Sequence, residues 1–183
     1  MTSPAHALRR AAIALGAASV AVLGVATAAT AAAGHPAISF PACSTSQLTG
    51  WMGVPGNGAA GSVYYDLQLS NVGTSTCTLF GFPGVSAVNG SGHRLGRPAG
   101  REYARPATTQ VLAPGATVHS VLRILNPGVI GCPTATAAGL KVYPPNQFRA
   151  LFVPFSFGTC TGHFRNLTVR AVRHGAGIPG YSQ

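Results

Sequence analysis

In the stretch SVYYDLQLSN, Val63, Tyr65, Leu67 and Leu69 alternate with Tyr64, Asp66, Gln68 and Ser70. A period of two fits a strand with one buried face and does not fit a helix. The same rhythm continues down the chain. TCTLFG lies between the turns NVGTS and FPG, and GVSAVN and HRLG flank the hairpin signal NGSG. TQVL and TVHSVLRIL flank APGA, where Pro114-Gly115 suits a type II turn. GLKVYP stops at Pro144-Pro145, LTVRAV (Leu167 to Val172) is the last expected strand, and HGAGIPGYSQ reads as a frayed tail. One helical turn is expected at Ser44 to Leu48, and no segment after residue 33 holds a long 3.6-residue period. Short strands about ten residues apart, punctuated by Gly and Pro, define an all-β class, an antiparallel β-sandwich of immunoglobulin-like type.

One motif points elsewhere. GNGAAG, Gly56 to Gly61, spells G-x-G-x-x-G, the mark of a dinucleotide-binding loop. That loop needs a strand before it and a helix after it, so that the helix N-terminus can hold a pyrophosphate. Here WMGVP precedes and a strand follows. The glycines therefore read as a flexible strand connection, and no nucleotide is expected.

The first 33 residues read as a signal peptide. Arg9 and Arg10 make a positive n-region, Ala11 to Val25 is apolar, and ATAATAAAG offers small residues for cleavage after Ala33. The arginine pair also admits twin-arginine export. Residues 34–183 then form one domain, with no later apolar run long enough to span a membrane. Of the twelve Lys and Arg, two lie in the leader; the remaining ten face two acids, Asp66 and Glu102, a formal charge of +8. A basic exported chain meets anionic partners by default.

The four cysteines, Cys43, Cys77, Cys132 and Cys160, all follow the leader. An even count in an exported chain implies two disulfides. Three pairings are open, and the sequential one, Cys43–Cys77 with Cys132–Cys160, is the expectation. The wide spacings contain no C-x-x-C, which argues against zinc.

The frame of a first Cys, then GAAGSVYYDLQLSN, TCTLFGFPGV, LAPGATVHSVL and a later Cys before GLKVYPP resembles a family of secreted actinobacterial proteins. That family is known as a domain of unknown function (number four-two-three-two). The resemblance runs from about Cys43 to Cys160 and is most specific in NVGTSTCTLFGFPGV. It implies export, an immunoglobulin-like sandwich and paired cysteines. It brings no catalytic residues.

Catalytic constellations are thin. Carboxylate-pair chemistry has only Asp66 and Glu102 to draw on. Asp66 points to the outer face of its strand by alternation, and Glu102 is expected to pair with Arg101 or Arg105. GVSAV fails G-x-S-x-G at its last position. Cys160 and His163 are three apart, but Cys160 is better used in a disulfide. The sequons Asn89-Gly90-Ser91 and Asn166-Leu167-Thr168 read as coincidental.

The richest feature is HRLGRPAGREYAR, a non-helical stretch whose Arg94, Arg97, Arg101 and Arg105 suit bidentate binding of phosphates or carboxylates. A second basic group, Arg165, Arg170 and Arg173, lies near the C-terminus. With Tyr103 as its one aromatic, the stretch is a poor nucleic-acid groove. The expectation is a secreted, non-enzymatic protein without cofactor or metal. It binds an anionic cell-wall or envelope component, or else serves as a protein–protein interaction or structural module of the envelope.

Overall fold

A computed structural model describes residues 39–177, all within a single compact unit. The expected leader and its cleavage site lie outside the described residues. After a one-turn 3-10 helix at Thr45–Gln47, the strands run β1 (Leu48–Ala59), β2 (Ser62–Asn71), β3 (Cys77–Phe80), β4 (Gly84–Val88), β5 (Arg94–Leu95) and β6 (Gly100–Arg101). They continue with β7 (Thr109–Leu112), β8 (Thr117–Leu125), β9 (Thr134–Tyr143), β10 (Leu151–Cys160), β11 (Leu167–Val169) and β12 (Arg173–His174). One short helix, α1 (Pro127–Ile130), joins β8 to β9. The helical turn is closed by Gln47, whose Oε1 accepts from the Ser44 amide at 3.0 Å.

The first sheet has the order β1-β2-β8-β11-β6, with β12 also pairing β8; the second has the order β10-β9-β4-β5. A two-stranded ladder, β3-β7, completes the fold. All pairings are antiparallel except β11 with β6. Leu67, Leu69, Val118 and Leu122 from the first sheet join Val85, Ala87, Leu140, Val142 and Val153 from the second in one buried cluster. That is the packing of a β-sandwich, each strand placing alternate residues inward. Tyr65 and Phe155 meet edge to face across the core, with ring centroids 4.8 Å apart.

Both disulfides take the sequential pairing, Cys43–Cys77 with Cα atoms 4.8 Å apart and Cys132–Cys160 with Cα atoms 5.6 Å apart. The NGSG hairpin joins β4 to β5, its Asn89 Oδ1 accepting from the Ser91 and His93 amides. The APGA turn closes through a 2.9 Å bond from the Ala116 amide to the Ala113 carbonyl. It carries the chain from the small ladder into the first sheet. Asn166 of the second sequon is 5 % exposed. Its Oδ1 accepts from Thr159 Oγ1 and the Cys160 amide while its Nδ2 donates to the Leu125 carbonyl, so it is a structural tie.

Three readings from sequence are corrected. GNGAAG is no flexible connection: Gly56 to Ala59 lie inside β1, which forms a hairpin with β2 through Ala60-Gly61. The register shifts between Gly53 and Asn57, and a Cβ at Gly56 would fall 2.5 Å from the Tyr65 ring. Gly56 therefore serves close packing against an aromatic. Second, Leu151–Cys160 forms the ten-residue strand β10, where the sequence reading places none. Third, the described part of the supposed tail is docked: β12 pairs β8, and the Gly175 amide donates to the Thr117 carbonyl at 2.9 Å.

Candidate anion-binding groove

The docked C-terminal segment builds the site. β11 and β12 run along β8 as one bulged strand. Val169 pairs with Leu122 and Arg173 with His119, so Arg170 to Val172 face only Ser120 and Val121. Residues three apart on a regular strand point to opposite faces. The extra residue re-aims the chain, and Arg170 and Arg173 both line one groove. Ser120 pins the bulge by donating to the Arg170 carbonyl at 2.6 Å.

The groove has a volume of about 1030 Å³. His119 and Val121 of β8 line it together with two flanking segments, one running from Glu102 to Gln110 and the other from Arg170 to Gly177. Three arginines, Arg105, Arg170 and Arg173, and two histidines, His119 and His174, face a single carboxylate. That carboxylate is already engaged: Glu102 Oε1 accepts from Arg170 Nη2 at 2.7 Å and Nε at 2.9 Å. The expected partners of Glu102, Arg101 and Arg105, give way to a residue far along the chain. Arg173 is held in place by donating to Thr108 Oγ1 at 3.0 Å and to the Pro106 carbonyl at 2.8 Å. Arg105 is exposed and makes no hydrogen bond with another described residue.

The structure separates the four arginines of the basic stretch. Arg94 sits on β5 of the second sheet, Arg97 follows it, and Arg101 sits on β6 of the first sheet. Only Arg105 lines the groove. Arg101 instead lies over the Phe82 ring, 5.7 Å from its centroid. Of the second basic group, Arg165 turns away and donates to the Pro98 carbonyl at 2.9 Å. Cys160 is committed to its disulfide, and His163 stacks on Phe164 at 4.2 Å.

Asp66 lies on the outer face of β2 as alternation requires, yet it is 2 % exposed. The segment after β12 crosses β8 and covers it. His119 Nδ1–H donates to the Gly175 carbonyl at 3.0 Å, and a Cβ on Gly177 would fall 2.6 Å from Asp66 Cγ. Asp66 Oδ1 and, two residues on, Gln68 Oε1 are buried without a hydrogen-bond partner among the described residues. Desolvation pushes the Asp66 carboxyl above the ordinary range, against a weaker opposite pull from His119.

A carboxyl with a raised folded-state pKa binds more protons in the folded protein. Its stabilising contribution is complete below the unfolded value of 3.8 and is lost as pH rises through the raised value. Asp66→Asn should therefore gain stability relative to the parent as pH climbs from acid to neutral. Urea titrations across that range measure this, and parallel pH profiles for the two proteins would remove Asp66 as the cause.

The family described as Domain of unknown function (DUF4232) matches residues 43–173. The chain belongs to the DUF4232 family. The match spans both disulfides, β1 to β11 and the first residue of β12, so the groove's arginines and Glu102 all fall inside the family domain. No curated protein and no solved structure matches the chain.

Proposed function

We propose that this DUF4232 chain is a non-enzymatic binding module of the cell exterior that holds an anionic cell-wall or envelope component in the groove beside β8. One observation carries the reading: Arg105, Arg170 and Arg173 line one groove, and its one carboxylate among the described residues, Glu102, is taken by Arg170, which leaves Arg105 and Arg173 for a ligand. Arginine is suited to this task because its planar fork binds carboxylate and phosphate oxygens two at a time. Neither acid is free to act as a general acid or base, since Glu102 is bound to Arg170 and Asp66 is covered. Two disulfides fit an oxidising exterior. Among the described residues no helix is long and apolar enough to cross a membrane.

The test is co-sedimentation of the oxidised protein with cell walls, before and after removal of their anionic polymers, across a salt series. Binding is expected to weaken with salt and with polymer removal. Replacing Arg105 and Arg173 together by Ser should lower affinity about 10- to 100-fold, the equivalent of roughly 1.4–2.8 kcal/mol. Unchanged binding in that variant would rule out the groove.

A protein–protein module is the second reading, favoured by Phe148, which is 97 % exposed, and Phe152 on the edge strand β10. Association through those rings would be insensitive to salt. Strand addition at that edge is opposed by Pro154.

A further inference from the structure

The groove that holds the arginines has an apolar floor. Val121 of β8 and Ala171 line it and are 3 % and 5 % exposed, whereas Ala104, Arg105 and His174 line it from the surface. Polar side chains beside that floor are already engaged. Gln110 Nε2 donates to the Thr108 carbonyl at 3.0 Å and to Thr108 Oγ1 at 2.7 Å, and His119 Nδ1–H donates to the Gly175 carbonyl. Two arginines tie the flanking segments together. Arg170 grips Glu102, and Arg173 reaches Thr108 and the Pro106 carbonyl. The groove is therefore fixed by the fold before any ligand arrives. Its three arginines less Glu102 leave a net charge of +2, with the histidines neutral. Thr108 and Pro106 are neutral acceptors, so Arg173 keeps its charge and shares with Arg105 the task of holding an anion.

Resting on the anion-binding reading above, we propose that the ligand is a single-chain amphiphilic anion, which narrows the envelope component to a lipid-tailed one. An alkyl or acyl chain lies on Val121 and Ala171, and its phosphate or carboxylate head is held by Arg105 and Arg173. The floor favours methylene groups, which gain by leaving water. Sugar hydroxyls laid on Val121 and Ala171 would find no side-chain partner there. Two guanidinium groups suit one head group, with their donors in planar pairs. A long polyanion is instead tracked by a run of cations along its path. A volume of about 1030 Å³ is at the upper end for a small-ligand site.

The experiment is titration calorimetry of the oxidised full chain with hexyl, octyl and decyl phosphate, the matching carboxylates, inorganic phosphate and neutral octyl glucoside, all as monomers. Affinity should rise about two- to fourfold per added CH2. Arg105→Ser should lower it about tenfold at every chain length and leave that slope unchanged. Val121→Thr, close in shape, should lower decyl phosphate affinity about threefold. Decyl phosphate should also release the protein from cell walls. Inorganic phosphate binding as tightly as decyl phosphate, octyl glucoside binding as tightly as octyl phosphate, or an unaffected Val121→Thr would overturn the amphiphile assignment. So would binding to phosphatidylglycerol vesicles without binding to the monomers, which is adsorption to a bilayer. Cell walls that bind through Arg105 and Arg173 while no amphiphile does would overturn it too and leave the anion-binding groove standing. Failure of walls and amphiphiles alike would overturn both. Arg105 is exposed, so its loss does not threaten folding, and circular dichroism of each variant verifies that.

Discussion

Reduction of both disulfides is expected to unfold the protein at about 37 °C. Cys43–Cys77 and Cys132–Cys160 join residues 34 and 28 positions apart, in loops that do not overlap. Each closure removes denatured-state freedom worth about 3–4 kcal/mol, so together they contribute about 7 kcal/mol. That is comparable to the whole stability of an ordinary domain, about 5–15 kcal/mol. The location adds to the effect. Cys43 ties the segment before the first helical turn to β3, and Cys160 closes the end of β10 against Cys132, two residues past α1. Urea unfolding followed by the fluorescence of Trp51, the single tryptophan, measures the loss directly with and without reductant. An unchanged midpoint after complete reduction would mean the sheets hold without their bridges.

Gly96→Ala should be the most damaging single-methyl change in the basic stretch. Gly96 has φ +65, and a Cβ there would stand 2.5 Å from the Cys160 carbonyl oxygen and 3.0 Å from that of Phe164. Both obstacles are backbone, so no side chain can swing aside. Left-handed strain and overpacking each cost about 1–3 kcal/mol, which puts the expected loss at roughly 3–5 kcal/mol. Gly90→Ala is the matched control, since nothing lies within 4 Å of its added carbon. It should cost under about 1 kcal/mol. Equal midpoints for the two variants would show that the approach of the basic stretch to residues 160–164 is not rigid. The adjacent bond, Arg97 amide to Phe164 carbonyl at 2.8 Å, makes the same crossing.

The strands with clean alternation were legible. β2, β4, β8 and the core of β9 follow from period two, and the sequential cysteine pairing, one of three the sequence left open, is the one the structure holds. Besides the two-residue strands β6 and β12, the long strands that escaped were the outermost of their sheets, β1 and β10, and each holds a proline, Pro55 and Pro154. A proline lacks the donor a central strand requires, but at an edge that donor faces outward. Breaker signals therefore mislead most where pairing is one-sided. The groove was hidden for another reason. Its basic residues come from two stretches, and nothing local announces that the bulge after Val169 lays Arg170 and Arg173 beside Arg105. Nor does alternation reveal what covers an outer face: it placed Asp66 outward correctly and was silent about Gly177 above it.

The pairing of β2 with β8 carries a consequence for the order in which the molecule assembles. β2 finds β1 at once through a two-residue turn, but its other edge must wait for residues 117–125. Until then, the strand bearing Leu67 and Leu69 presents an open, apolar-faced edge. Non-local sheets of this kind close in milliseconds to seconds rather than microseconds, and their half-built forms are the ones that aggregate. The groove needs all of these elements, because Arg173 and His174 pair with β8 while Gly177 lies against Asp66 of β2. Capture of a ligand there is a property of the finished chain alone, and a ligand that binds only that state draws the slow folding reaction toward completion.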